Sequence, residues 1–303
     1  MHKRFGALRL SEEKMANRDP SEPGFRARLA NLILSEKEAR ATILYRGMLT
    51  NKKRIKTVIP NIVPELRAPS TYAQFASVSE FAPPDESRFV LKPSSGSHSR
   101  GVYCLERTAD GRLRDLTSDD DYSVESLREQ YKADFERAQG KMSLSCFTEE
   151  YVDSEPGYSR PHDYKAYCFG GEVALIMQKA FVTKNKKDWR FKFWSPDWQS
   201  LGLVKYADRI DPQLPAPALG PEAVRLASAL SEKIARPFVR IDLYITRKEV
   251  IFSEITPNPN GGKDYFNEEW DQILGRIWQR NEEAAAKISR HWIEHSGKTP
   301  TPK

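Results

Sequence analysis

Cysteine is scarce in this chain. Three residues in 303, Cys104, Cys146 and Cys168, are odd in number and far apart, which excludes a disulfide framework. Each lies in an apolar or strand-like run, where a buried free thiol is the expectation and a reducing cytoplasm the natural location. No apolar run approaches the roughly 20 residues needed to span a bilayer. The start, Met1-His2-Lys3-Arg4-Phe5, is not followed by an apolar segment and a small-residue cleavage site, so no signal peptide is expected. No internal repeat is visible. The net charge is +6, yet the basic residues form no long run or helical stripe. They gather in short clusters at Lys52-Lys53-Arg54 and across 184–192. Aromatics interleave with charge in the second cluster, as on a base-stacking surface, but equally as in a loop over a phosphate-rich site. The pattern disfavours nucleic acid and leaves anionic small substrates as the better reading of the charge. The Gly-x-x-x-x-Gly-Lys-Ser/Thr order of a P-loop is also missing.

What is present is enough for a folded protein with a polar surface: 39% hydrophobic, 11% aromatic and 30% charged residues. Residues 1–24 read as a polar arm closed by Ser21-Glu22-Pro23-Gly24. From Phe25 to Met48 the apolar spacing predicts a helix or helix pair, with Ser35 as an internal N-cap. Three prolines in 57–72 predict extended chain rather than helix. Helices are expected through Val124–Phe135, from Pro221 to about Ala235, and as one or two helices over 264–292. Gly170-Gly171 between alternating runs predicts a hairpin. The aromatic and basic segment 181–206 is expected to wall a substrate cleft.

Two stretches carry chemistry. In the first, Phe89-Val90-Leu91 reads as a buried strand delivering Lys92. Pro93 and a Ser/Gly-rich loop containing Ser95, Gly96 and Ser97 follow, and a second strand begins at Val102. Such a loop can fold its amides over a polyphosphate while the lysine neutralises charge, and His98 would be placed to meet it. In the second, strand-like runs at 238–245 and 250–255 carry Asp242 and Glu254. A hairpin would set the two carboxylates side by side, where they repel unless a cation lies between them, and oxygen ligands of this kind suit Mg²⁺. Asp163 and Lys165, at i and i+2, leave one face of a strand. His162, beside a proline, reads as structural.

Arg240-Ile241-Asp242 followed by Glu254, Thr256, Asn258 and a Gly pair resembles the metal-binding end of the ATP-grasp superfamily. Lys92-Pro93 before a Ser-x-x-x-Gly-Val loop resembles its phosphate loop. The closer likeness is to the TupA-like branch, associated with cell-surface polymer synthesis. The resemblance implies an α+β ATP-grasp fold, with two α+β subdomains clamping the nucleotide behind a reduced N-terminal region. On that basis residues 1–87 form an arm and abbreviated preceding region. Residues 88–147 form a nucleotide-covering subdomain, 148–290 a metal and substrate subdomain, and 291–303 a tail. Glu149, Glu150, Tyr151 and Val152 fall where the superfamily holds adenine, and Asp163 and Lys165 where it reaches the ribose side and the transferred group. Thr256 stands at the position of the superfamily's metal-ligating Asn, so the third ligand is either Thr256 or Asn258, with Asn258 expected.

The activity implied is an Mg-ATP-dependent carboxylate–amine ligase that makes an amide through an acyl phosphate. Arg240 and Lys165 would steady the reacting oxygens. Its partners would be a small-molecule carboxylate and amine, or a polymer or peptide end. A kinase acting on a hydroxyl and a non-catalytic nucleotide-binding module are the alternatives; retention of Lys92, Asp242 and Glu254 together argues against the second.

Overall fold

The computed structural model describes residues 23–296 apart from 39, 97–99, 154–157, 159 and 184. Three helices open the described chain: α1 (Phe25–Glu38), α2 (Arg40–Thr50) and α3 (Lys52–Ile62). Next come β1 (Thr71–Phe75), β2 (Arg88–Pro93), β3 (Tyr103–Arg107), β4 (Leu113–Asp115), β5 (Asp121–Tyr122), α4 (Val124–Ala138) and β6 (Cys146–Glu150). The second half holds β7 (Arg160–Phe169), β8 (Glu172–Phe181), β9 (Trp189–Trp194), α5 (Gly220–Ile234), β10 (Val239–Ile245), β11 (Val250–Thr256) and α6 (Glu268–Ser296). The strands form two antiparallel sheets, one in the order β1-β6-β2-β3-β4-β5 and the other β11-β10-β7-β8-β9. The fold is α+β, as expected. β1, at 71–75, already belongs to the first sheet.

The first sheet packs Phe89, Leu91, Tyr103 and Leu105 against Leu127 and Tyr131 of α4. Ser123 caps α4 by accepting from Ser126 N, and Gln139 ends it in the left-handed region. In the second sheet the period-2 alternation of β10 sends Val239, Ile241 and Leu243 toward Ala223, Leu226 and Leu230 of α5. The opposite face carries the even-numbered residues and is divided. Toward Tyr167 and Phe169 it is closed by Phe25 and α6; Phe25 meets Tyr167, Phe169, Phe238 and Phe266 edge-on. Toward Asp163 and Lys179 it opens into a cleft. The chain passes so tightly against α6 here that a Cβ on Gly275 would lie 2.8 Å from Gly24 Cα, which requires glycine.

Residues 52–62 are helical, against the expectation of extended chain from residue 57 onward. Ile55, Ile59 and Val63 recur every four residues and are all buried. Pro60 lies near the helix end, where its lost hydrogen bond is outweighed by that apolar stripe. Ser35 is not an internal cap: its hydroxyl donates to Leu32 O within α1. The Gly170-Gly171 hairpin is present, both residues at positive φ (56° and 95°), and residues 268–296 form one helix. The polar arm over 1–22 and the tail beyond 296 lie outside the described residues. Among the described residues no helix is long and apolar enough to cross a membrane.

Candidate active site

Between the sheets lies a cleft of about 830 Å³. Its floor is a grid of side chains set by strand register. One row runs Glu254 (β11), Asp242 (β10), Lys165 (β7) and Met177 (β8), each directly opposite the next. Two residues along lies the row Tyr244, Asp163, Lys179 and Phe191, and on the other side the row Thr256, Arg240 and Tyr167. A bulge at Ser253 decides which β11 residues reach this floor. Asp242 pairs with Glu254 but Leu243 with Phe252, so Phe252 and Ile255 both enter the core while Glu254 and Thr256 face the cleft.

Charge on the floor is densely paired. Arg240 grips Asp242 with both nitrogens, Nε to Oδ1 at 2.6 Å and Nη2 to Oδ2 at 2.7 Å, and Nη2 also donates to Thr256 Oγ1 at 2.9 Å. Lys165 Nζ reaches Asp242 at 2.5 Å and Asp163 at 3.1 Å. Burial alone would depress Lys165, but the two carboxylates hold it above its usual range. Burial raises Asp242, against the pull of Arg240 and Lys165. Glu254 moves the other way: despite burial, Lys52 (3.5 Å away), Lys165 and Arg240 hold it far below the usual carboxylate range. The facing carboxylates thus lie on opposite sides of their ordinary values.

Across the cleft, Lys92 at the end of β2 pairs with Glu149 of β6, and the same carboxylate takes Lys56 from α3. Glu149 is 1% exposed. Burial pushes it up, but the two lysines outweigh that and hold it low. Lys92 is correspondingly raised by Glu149 against its own burial, while burial brings Lys56 down to about 8. Glu150 accepts two hydrogen bonds from Arg67, both at 2.8 Å, and Arg67 also holds Glu249 on the β10–β11 turn at 2.6 Å. Tyr151 lies under the Arg88 guanidinium, and Val152 is buried; both line the cleft.

After Lys92 the chain turns back on itself. Ser94 N donates to Ser145 O, and Ser95 N donates to Ser143 Oγ. Gly96 bridges to Met142. Ser97 and His98 lie outside the described residues. Asn258 is drawn away from the carboxylates: its Oδ1, the atom a metal would need, accepts from Arg236 Nη2 at 2.8 Å. Arg236 is itself buried on Glu36 of α1. Thr256 Oγ1, by contrast, donates to Glu254 Oε1 at 3.4 Å. His162 is buried and lowered to about 4 by burial, and its Nδ1 accepts from Gln178.

Sequence reading missed Lys56, Lys179, Lys205 and Asp264. Lys205 and Asp264 form a buried pair at 2.9 Å, joined by Tyr167 and Asn260. Only the apolar stripe of α3 hinted that Lys56 sits on a helix facing the cleft.

Among the described residues no three His, Cys, Asp or Glu side chains gather into an all-protein metal cage. The donor set present is two facing carboxylates with a hydroxyl beside them, opposite a lysine. That suits a hard cation completed by phosphate oxygens and water.

Two antiparallel sheets clasping a cleft, with a lysine from one and an Arg-x-Asp and Glu pair from the other, define an ATP-grasp protein. The chain belongs to the TupA-like ATP-grasp family, whose sequence model matches residues 29–279. No curated protein matches the sequence. Among solved structures, similarity is found to D-alanine–D-alanine ligase from Bacillus anthracis complexed with ATP, at 14% identity and a TM-score of 0.47, covering 84% of this chain and 70% of that one. The macrocyclase MdnC bound with precursor peptide MdnA, from Microcystis aeruginosa MRC, is 13% identical with a TM-score of 0.39, covering 85% and 68%. The ATP-grasp ligase PsnB, complexed with a phosphomimetic variant of minimal precursor, Mg and ADP, is 11% identical with a TM-score of 0.40, covering 85% and 66%.

Proposed function

We propose that this chain is an Mg-ATP-dependent ligase joining a carboxylate to an amine. The observation that carries the reading is the row Glu254–Asp242–Lys165, with Arg240 beside it, facing Lys92 across the cleft. Bound Mg²⁺ would offset phosphate charge, held by Asp242 and Glu254 with Thr256 or Asn258 as the third position. Lys92 neutralises the phosphates from the opposite sheet, with the loop through Ser95, Gly96 and Ser97 covering them. Glu150, Tyr151 and Val152 provide the edge for adenine, and Asp163 faces the ribose side. Glu149 sets the position of Lys92. Arg240 and Lys165 stabilise charge on the oxygens of the carboxylate as it accepts the phosphoryl group, and the amine then displaces phosphate to form the amide. The first sheet, which takes in β1 and the whole of β6 as well as residues 88–147, acts as the nucleotide-covering part, and the second sheet, within 148–290, as the metal and substrate part.

The test is trapping. With ATP, Mg²⁺ and a panel of carboxylates, hydroxylamine should intercept the acyl phosphate as a hydroxamate, with ADP released. ATP consumption that places phosphate on a hydroxyl, without hydroxamate, would make the protein a kinase. No calorimetric binding of ATP with or without Mg²⁺ would end the reading altogether.

A further inference from the structure

The cations that bear on the reaction fall into two groups. Lys92, Lys56, Lys165, Arg240 and Lys205 each have a carboxylate. Among the described residues Arg160 and Lys179, at the β7–β8 end, have aromatic rings instead. Lys179 Nζ lies 3.6 Å from the Trp189 ring centroid and 4.5 Å from that of Phe181. Arg160 stacks on Phe181 at 4.3 Å, and its Nε is buried with no hydrogen-bond partner among the described residues. Lys179 sits opposite Asp163 on the adjacent strand, but Asp163 is ion-paired with Lys165. A ring face steadies a cation without neutralising it. This end of the cleft is therefore positive whenever Lys179 is protonated, with no carboxylate of its own to cancel the charge, and Lys186 of the β8–β9 turn adds a third cation at the wall.

We propose that Arg160 and Lys179 form a subsite for a second oxyanion on the acceptor, so that the substrate carries an anionic group besides the carboxylate that is activated. The proposal rests on the ligase reading for the identity of the first group. It is set apart from the metal end by geometry: Lys179 lies two strands and one pleat step from Asp242, about 10 Å across and about 7 Å along the sheet. Paired cations close to Asp242 cannot serve both ends at once. The activated carboxylate sits on Lys165, one strand and one pleat step from Lys179, about 5 Å across and about 7 Å along. The lysine side chains close part of that gap, so a substrate whose anions are several atoms apart reaches both, while one with both anions on one carbon does not.

The pH dependence follows from the same surroundings. Burial brings Lys179 down to about 7; Asp163 opposes this, while Lys165, Arg160 and Arg240 reinforce it. Among the described residues the Phe181 and Trp189 rings also face it, and Lys186 lies over the same Trp189 ring. An incoming anion favours the protonated ammonium, so affinity should fall as pH rises from 6 to 8.5.

The test is calorimetry on the full chain with tricarballylate, 3-phosphoglycerate and acetate at matched ionic strength, run with and without Mg-AMPPNP. The expected result is that both polyanions bind at least tenfold tighter than acetate, with or without nucleotide. The stronger of the two identifies the second group as carboxylate or phosphate. Lys179→Met and Arg160→Met should each lose about tenfold, Lys179→Arg should retain binding, and thermal unfolding of each variant shows whether it is folded. The proposal is overturned if acetate binds as well as the polyanions, if neither variant matters, or if Mg-AMPPNP displaces the probe, which would assign these cations to the nucleotide. Absence of AMPPNP binding with polyanion binding intact would sink the ligase reading and leave the subsite standing.

Discussion

Replacing Glu149 by Gln tests how the two halves of the site are joined. The carboxylate is 1% exposed and lies between Lys92 and Lys56, whose side chains are 15% and 7% exposed. The substitution keeps the volume and removes the charge, leaving two nearly buried ammonium groups without their counter-ion. Breaking a buried pair from one side costs about 3–5 kcal/mol. At roughly 2–4 °C per kcal/mol, the midpoint of thermal unfolding should fall by on the order of 10 °C. Lys56→Met should cost less, because burial already disfavours its charge. The double variant should cost less than the two single deficits added, because once the carboxylate is gone Lys56 is only a liability. Phosphate groups can replace the missing negative charge on Lys92. Mg-ATP should therefore recover more stability in Glu149→Gln than in the wild type, where a ligand at a hundredfold excess over Kd contributes about 2.7 kcal/mol. The measurement is thermal unfolding of the four proteins with and without nucleotide. A midpoint within 2 °C of wild type (roughly the shift from a 1 kcal/mol change), or strict additivity of the two substitutions, would refute the reasoning.

Acid should unfold the protein through the same group. Glu149 and Asp264 are both held below their usual values, the lysine partners outweighing burial. Their contribution is present above the unfolded values of about 4 and lost as pH falls through the lower folded ones. The unfolding midpoint should decline gently below about pH 6.5, where unfolded His162 takes up a proton that the buried ring does not, and drop more steeply below about 4. The steep part should be shallower in Glu149→Gln, and an equal acid drop in that variant would show that other carboxylates carry the effect. Thr256→Val should weaken Mg²⁺ dependence of ATP turnover more than Asn258→Ala, because Thr256 touches Glu254 and Arg240 while Asn258 is held by Arg236. The reverse ranking would make Asn258 the third ligand. Gly275→Ala should destabilise the chain by about 1–3 kcal/mol, since its methyl meets the Gly24 backbone at 2.8 Å; an unchanged denaturation midpoint would mean that the contact gives way freely.

The sequence by itself determined the strands and what they deliver. Alternation in β10 makes 240, 242 and 244 one face, and a buried run ending in Pro93 presents Lys92, because side-chain parity is a local property of an extended chain. The i, i+2 relation of Asp163 and Lys165 was legible for the same reason. Local reasoning failed where a distant surface chose. The helix at 52–62 exists because Ile55, Ile59 and Val63 find a core to enter, a gain that no proline count can register. The bulge at Ser253, which turns Glu254 and Thr256 to the cleft while Phe252 and Ile255 both reach the core, is set by pairing with β10. The partners of each charge are likewise tertiary. Lys56 and Glu149 are 93 residues apart, Arg236 and Glu36 are 200 apart, and only folding puts Lys179 against two rings, opposite an Asp163 that Lys165 already engages. A charge in sequence has a sign. Its neighbours, and therefore whether it is neutralised or left to hold a ligand, come from the packing of the two sheets.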